Sequence, residues 1–166
     1  MLMTLEVVTV FLVALAMTMA LAHALEYPGK LRLDEQTYMA VQAIYYPGFT
    51  LGGIGEVMAV VATFVLAMMM RDRGDIFWWV LTAFVAVVAM QVVFWLVTQP
   101  VNRFWLRKQH LGNTSAKFFG VKPESDSEGF AQPDWKGLRK RWEYSHMARA
   151  CLSVIALIAT AIAIAR

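Results

Sequence analysis

A single cysteine, Cys151, stands among 166 residues. An intrachain disulfide and a cysteine-based metal site are therefore excluded. Cys151 sits inside an apolar run and reads as a small packing residue. Charge is scarce as well: 16% of the chain is charged, against roughly 25% in a soluble protein, so an ordinary solvated surface is excluded. No lysine or arginine precedes Lys30. The opening "MLMTLEVVTVFLVALAMTMALAHAL" thus lacks the basic start of a signal peptide, and its apolar run exceeds the usual core of about 7–15 residues. "ALAHA" could pass for a cleavage site, but the stretch is expected to persist as a first transmembrane helix. No internal repeat is visible. No nucleic-acid recognition motif accompanies the basic residues, so the net charge of +3 gives no reason to expect nucleic acid as a partner.

What the chain has is apolar length. It is 59% hydrophobic, and the lipid bilayer is the solvent that suits such a composition. A spanning helix needs about 20 mostly apolar residues. Stretches at about 2–25, 47–70, 76–98 and 145–165 meet that need. The expected fold is an all-α membrane protein, a four-transmembrane-helix bundle forming one domain over 1–166. Pro28-Gly29 is expected to break the first helix. Asp34 would cap a short interfacial helix reaching Tyr46, with Tyr38, Val41 and Tyr45 along one side at headgroup level. "RDRGD" (71–75) reads as a tight hairpin. The connection 99–144 is rich in turn residues at its centre, and Pro133 permits a new helix that continues into the fourth span. Trp78 and Trp79 read as interface anchors, "AMMM" (67–70) as lipid-facing filler, His110 as a loop residue and "LRKRW" as headgroup contact.

Lysine and arginine set the orientation. Eleven of fifteen fall in the two longer connections, from Lys30 and Arg32 to Arg141. The positive-inside rule then places both connections in the cytoplasm and both termini outside, in the cell (inner) membrane.

Ionisable groups are expensive inside a bilayer, so each one that occurs there needs a protein partner or a polar cavity. Trp142, His146, Arg149 and Ser153 share one helical face. Glu143, three residues before His146, is within reach of its imidazole. Gln91, Trp95, Thr98 and Asn102 share a face of the third span if its helix continues through Pro100, with Gln99 and Arg103 close by. Asn102 and Gln99 would otherwise serve the carbonyls that Pro100 leaves unpaired. "HALE" pairs His23 with Glu26. Glu56 lies about 14 Å along the second helix from Pro47, among Thr50, Gly52, Gly53 and Gly55. All these groups fall in the same half of the membrane. They point to a polar pocket in the bundle, with Glu56–Arg149 as an intramembrane ion pair.

The segments "HALEYPGKLRLD", "YYPGFTLGGIGE", "FWLVTQPVNRFWL" and "RWEYSHMARA" together resemble a family of small four-helix membrane proteins grouped with the anthrone oxygenases. The likeness covers nearly the whole chain outside 112–132. It implies an oxygenase acting on a small aromatic or quinone-like ligand, with molecular oxygen as co-substrate and no organic cofactor. The motifs that carry it hold His23, Asn102, Arg103, Trp142, His146 and Arg149. Such chemistry needs a base, donors for an enolate oxygen and apolar walls. His146 oriented by Glu143 suits the base, and His23 with Glu26 is an alternative. Asn102, Gln99 and Arg149 suit the donors; Trp95, Trp105 and Trp142 suit the walls, beside Arg103, Glu56 and Gln91.

Three other readings compete. His146, Glu143, His23, Glu26 and Glu56 would be the ligands of a metal site, with "EYSH" as its one Glu-x-x-His motif. His23 and His146 would be axial ligands of a haem. A structural, assembly or transport protein would bury the same groups only to hold its helices together. A homo-oligomer is compatible with any of these.

Overall fold

The computed structural model describes residues 1–45, 48–105 and 134–166, without the side chains of Ala43, Thr50, Phe104 and Trp105. Helix α1 spans Leu2–Lys30 and α2 spans Glu35–Gln42, extended by a 3-10 turn at Ala43–Tyr45. Helix α3 spans Gly48–Met70 and α4 spans Asp75–Val93. A π turn at Phe94–Thr98 leads into α5, Gln99–Trp105, and α6 spans Trp135–Ala165. Four of these helical stretches are long and apolar enough to cross a membrane, and no strand occurs among the described residues. The chain is an all-helical membrane bundle. Helix α6 packs on α1 and α4, and α3 packs on α1 and α4.

Several boundaries differ from expectation, each for a local reason. Helix α1 does not break at Pro28-Gly29 but ends after Lys30. A proline in the last turn forfeits one backbone hydrogen bond and leaves little helix beyond it to disturb. The third span runs past Thr98 and through Pro100. The proline cannot donate to the carbonyl four residues back, that of Leu96. Arg141 of α6 donates to that carbonyl instead, at 3.3 Å, and the π turn absorbs the local misfit. Asn102, expected in that role, accepts from Trp142 instead. The described ends of 99–144, Gln99–Trp105 and the first turns of α6, are therefore helix. Helix α6 does begin just after Pro133 and runs unbroken into the fourth span. Asp134 caps it by accepting from the Lys136 amide at 3.1 Å. Its 31 residues extend about 46 Å at 1.5 Å each, so its first turns project beyond a hydrocarbon core of about 30 Å.

Helix α2 starts where Asp34 accepts from the Thr37 amide at 2.8 Å. That hydrogen bond holds the Asp34 carboxyl below the usual carboxylate range. Tyr38 and Tyr45 turn into the protein and are buried. Burial, then the Glu143 carboxylate, pushes the Tyr38 phenol well above its ordinary value, so it stays protonated.

Small residues let the helices approach closely. Ala16, Ala20, Ala59, Ala86, Ala156 and Ala159 are all buried. A Cβ on Gly55 would lie 2.8 Å from Leu15 Cδ2, and one on Gly52 would overlap Met19. Outward surfaces carry Phe11, Val61, Phe64, Met68, Met69 and Ile158. Within "AMMM", Ala67 and Met70 are buried and only the two central methionines face out. Cys151 is exposed, not packed inside. The hairpin at 71–74 turns where Gly74 adopts a φ of 57°.

Candidate functional site

Side chains from four helical segments enclose a cavity of about 70 Å³ in the half of the bundle nearer the long connections. Helix α1 contributes Met19 and His23, and α3 contributes Phe49, Gly53, Glu56 and Val57. The third span adds Gln91, Phe94, Trp95 and Asn102; α6 adds Trp142, His146 and Arg149; Tyr45 closes one end. The lining residues are buried or half-buried except Val57 and Trp95, which are 53% and 50% exposed. Among the described residues the cavity thus has a mouth between α3 and the π turn, on the side where the helices present apolar residues outward.

Its charged floor is the Glu56–Arg149 pair. Arg149 Nη2 donates to Glu56 Oε1 at 2.6 Å and to Oε2 at 2.7 Å. Gln91 Nε2 adds a third donor to Oε2 at 2.9 Å. The ion pair read from the sequence is present, and it ties α3, α4 and α6 together. The Arg149 Nε has no hydrogen-bond partner among the described residues. Arg149 Nη1 lies 3.3 Å from His146 Nδ1, and the guanidinium carbon stands 5.1 Å over the Phe94 ring.

The aromatic wall is continuous. His23 and His146 have ring centroids 4.1 Å apart, and Trp142 lies 4.2 Å from His146. His23 also contacts Tyr45 and Phe49, each at 4.5 Å. The Trp142 Nε1 donates to Asn102 Oδ1 at 2.7 Å, which fixes the indole and turns the Asn102 acceptor away from other donors.

Behind His23 lies a second polar group at the end of α1. Lys30, only 4% exposed, puts its ammonium 3.5 Å from His23 Nδ1 and 2.9 Å from Glu26 Oε2. It reaches Glu143 Oε1 at 3.9 Å. Tyr45 donates to Glu26 at 2.6 Å and Tyr38 to Glu143 at 2.9 Å. Glu143 therefore does not orient His146, contrary to the sequence expectation. It faces the Tyr38 side of α6, while His146 turns to Arg149. Glu143 Oε2 has no hydrogen-bond partner among the described residues.

The remaining expected residues divide. Gln99 is buried but does not line the cavity, and Arg103 is exposed. The side chain of Trp105 lies outside the described residues, as do Thr50's and the whole of Pro47, His110 and Pro133. Thr98 is buried against Ser145, 2.8 Å oxygen to oxygen. The five candidate metal ligands do not converge: among the described residues no three such side chains could hold one ion. Glu56 is taken by Arg149, Glu143 by Tyr38 and Glu26 by Lys30. The haem reading also fails on geometry, since two imidazoles already in ring contact leave no room between them for a planar macrocycle. Reading the sequence missed Lys30, Tyr38, Phe49 and Phe94. Lys30 sits four residues after Glu26 and seven after His23, a helical spacing that was hidden by ending α1 at Pro28.

Fold and cavity together define a class: a four-helix membrane bundle that encloses an ion pair and two histidines beside a mouth in its apolar flank. The chain belongs to the anthrone oxygenase family, which it matches over residues 42–159. Comparisons with curated proteins and with solved structures give no match. Cavity residues from Tyr45 to Arg149 fall inside the matched stretch, whereas Met19, His23 and Lys30 precede it.

Proposed function

We propose that the chain is an oxygenase of flat, apolar aromatic ketones of the anthrone type. The observation that carries this is a cavity, at membrane depth, whose aromatic walls surround one carboxylate and one guanidinium, in a chain of that family. The substrate has a CH2 group flanked by aromatic rings and conjugated to a ketone. A base takes one of its protons, and the electron pair moves onto the ketone oxygen as an enolate. Glu56 is the one carboxylate among the described lining residues and is the base in this reading. Arg149 Nε, which has no hydrogen-bond partner among the described residues, is a donor for the enolate oxygen. The enolate carbon bonds to molecular oxygen and the peroxide takes up a proton. Loss of the second C–H proton, with cleavage of the O–O bond, leaves a second carbonyl and releases water. One oxygen atom ends in the quinone and the other in water, so no external reductant is consumed.

The cavity of about 70 Å³ is smaller than the roughly 150 Å³ that accommodates benzene in a protein core. A tricyclic ketone must therefore part the walls, and the exposed Val57–Trp95 edge is where they yield. In this reading the substrate arrives from the bilayer. The basic connections lie on the cytoplasmic side of the cell membrane, by the positive-inside rule. The test is oxygen uptake and anthraquinone formation from 9-anthrone by the protein in nanodiscs. Glu56→Gln keeps the shape but leaves Arg149 without its carboxylate; measured on protein whose helical circular dichroism matches the wild type, it should lower turnover by at least a hundredfold. Wild-type protein that is folded yet gives no rate above the uncatalysed one refutes the reading. It would leave the ion pair as a device for holding three helices together.

A further inference from the structure

Each histidine on the cavity wall has a cationic side chain at Nδ1. Arg149 Nη1 is 3.3 Å from that atom of His146, and Lys30 Nζ is 3.5 Å from that atom of His23. Guanidinium and ammonium groups carry donors and no acceptor. The Lys30 side chain pairs with Glu26 at 2.9 Å and lies 4.9 Å over the rings of both Tyr45 and Trp142. Glu26 Oε2 also faces His23 Nδ1, but at 3.8 Å it is beyond hydrogen-bond reach, so the group within reach of each Nδ1 is a donor and both atoms accept. A ring nitrogen that accepts bears no proton, and the proton of a neutral imidazole then resides on the other nitrogen.

We infer that Arg149 and Lys30 fix His146 and His23 as Nε2–H tautomers, so that the touching pair of imidazoles presents two N–H donors to one ligand oxygen. Neither Nε2 has a hydrogen-bond partner among the described residues, and both rings line the cavity. This reassigns His146: the residue that sequence alone offers as a base acts as a donor. It also makes Lys30 a positioning residue, which works through His23 without touching ligand. The tautomers follow from the contacts alone. That the oxygen is a ketone becoming an enolate rests on the proposed oxygenase reading.

The full chain has three histidines, so 15N spectra of the histidine-labelled protein in nanodiscs are simple to assign with His110→Asn as background. The expected result is one protonated nitrogen, Nε2, on each of His23 and His146. Lys30→Met should release His23 into a tautomer mixture while His146 keeps its Nε2 proton, and Lys30→Arg should restore His23. A proton on Nδ1, two protons on either ring, or a His23 indifferent to Lys30→Met overturns the inference. Turnover of 9-anthrone separates the two proposals. Lys30→Met should lower kcat roughly tenfold with KM little changed, as loss of a residue that orients a functional imidazole does. Nε2–H tautomers in a chain that does not oxidise 9-anthrone would sustain the donor pair and refute the oxygenase. An active chain with the wrong tautomers would do the reverse.

Discussion

The bundle's two ends solve the membrane problem differently. Toward the hairpin and the termini, the buried polar side chains among the described residues are a few threonines, each satisfied by its own helix. Thr63 donates to the Ala59 carbonyl and Thr160 to that of Ala156, both at 2.7 Å. Packing there rests on alanine, Leu66 and Val80. Toward the long connections, polar atoms are many and their partners lie on other helices: Glu56 with Arg149, Tyr38 with Glu143, Trp142 with Asn102. Hydroxyls bonded within one turn specify nothing about neighbours. Bonds across helices fix who stands beside whom, and they create a place where chemistry can occur. One end supplies close packing, the other supplies register and function.

The largest effect should come from splitting the ion pair. Arg149→Met strands a buried carboxylate and should cost about 3–5 kcal/mol, read as lost thermal stability in detergent. Glu56→Gln combined with Arg149→Met should recover most of it, because no net charge then remains. Full stability in the single variant would erase the contrast between the ends. Leu66→Ala, at the other end, should cost roughly 2 kcal/mol, the low side of the usual range for emptying a core site, since lipid-soluble helices have little solvent-exclusion energy to lose. Its turnover of 9-anthrone should stay at the wild-type level. Tyr38→Phe removes the hydrogen bond to Glu143 and should cost about 1–2 kcal/mol. The smallest effect is expected at exposed Asp34. Its carboxyl is held low in the folded chain by the Thr37 amide, so its contribution is present above the unfolded pKa of about 3.9 and is lost as pH falls through the folded value. Asp34→Asn should lower Tm slightly at pH 7 and leave it unchanged in strong acid.

The spans were legible because twenty apolar residues in a row have one physical use. The ion pair was legible because a bilayer leaves Glu56 and Arg149 no alternative to each other. The unbroken α6 after Pro133 could be read from the absence of any further breaker. Less could be read where prolines were involved. Proline in a last turn does not stop a helix, and ending α1 at Pro28 hid the Lys30 amine from the His23 site. Pro100 was rescued by Arg141, forty-one positions away, which no local pattern announces. The partner of His146 was misassigned because Glu143 and Arg149 are both three residues from it. Spacing cannot choose between them, whereas the fold does so by placing Tyr38 beside one and Glu56 beside the other.

The mouth at Val57 and Trp95 changes how the protein's substrate should be counted. A ligand that reaches the cavity sideways is dissolved in lipid, so its effective concentration is moles per mole of lipid rather than moles per litre. Adding empty vesicles that exchange substrate freely, at constant protein and total substrate, should then slow turnover by surface dilution. Enlarging the aqueous volume around the same vesicles should leave the rate nearly unchanged for a strongly partitioning ketone.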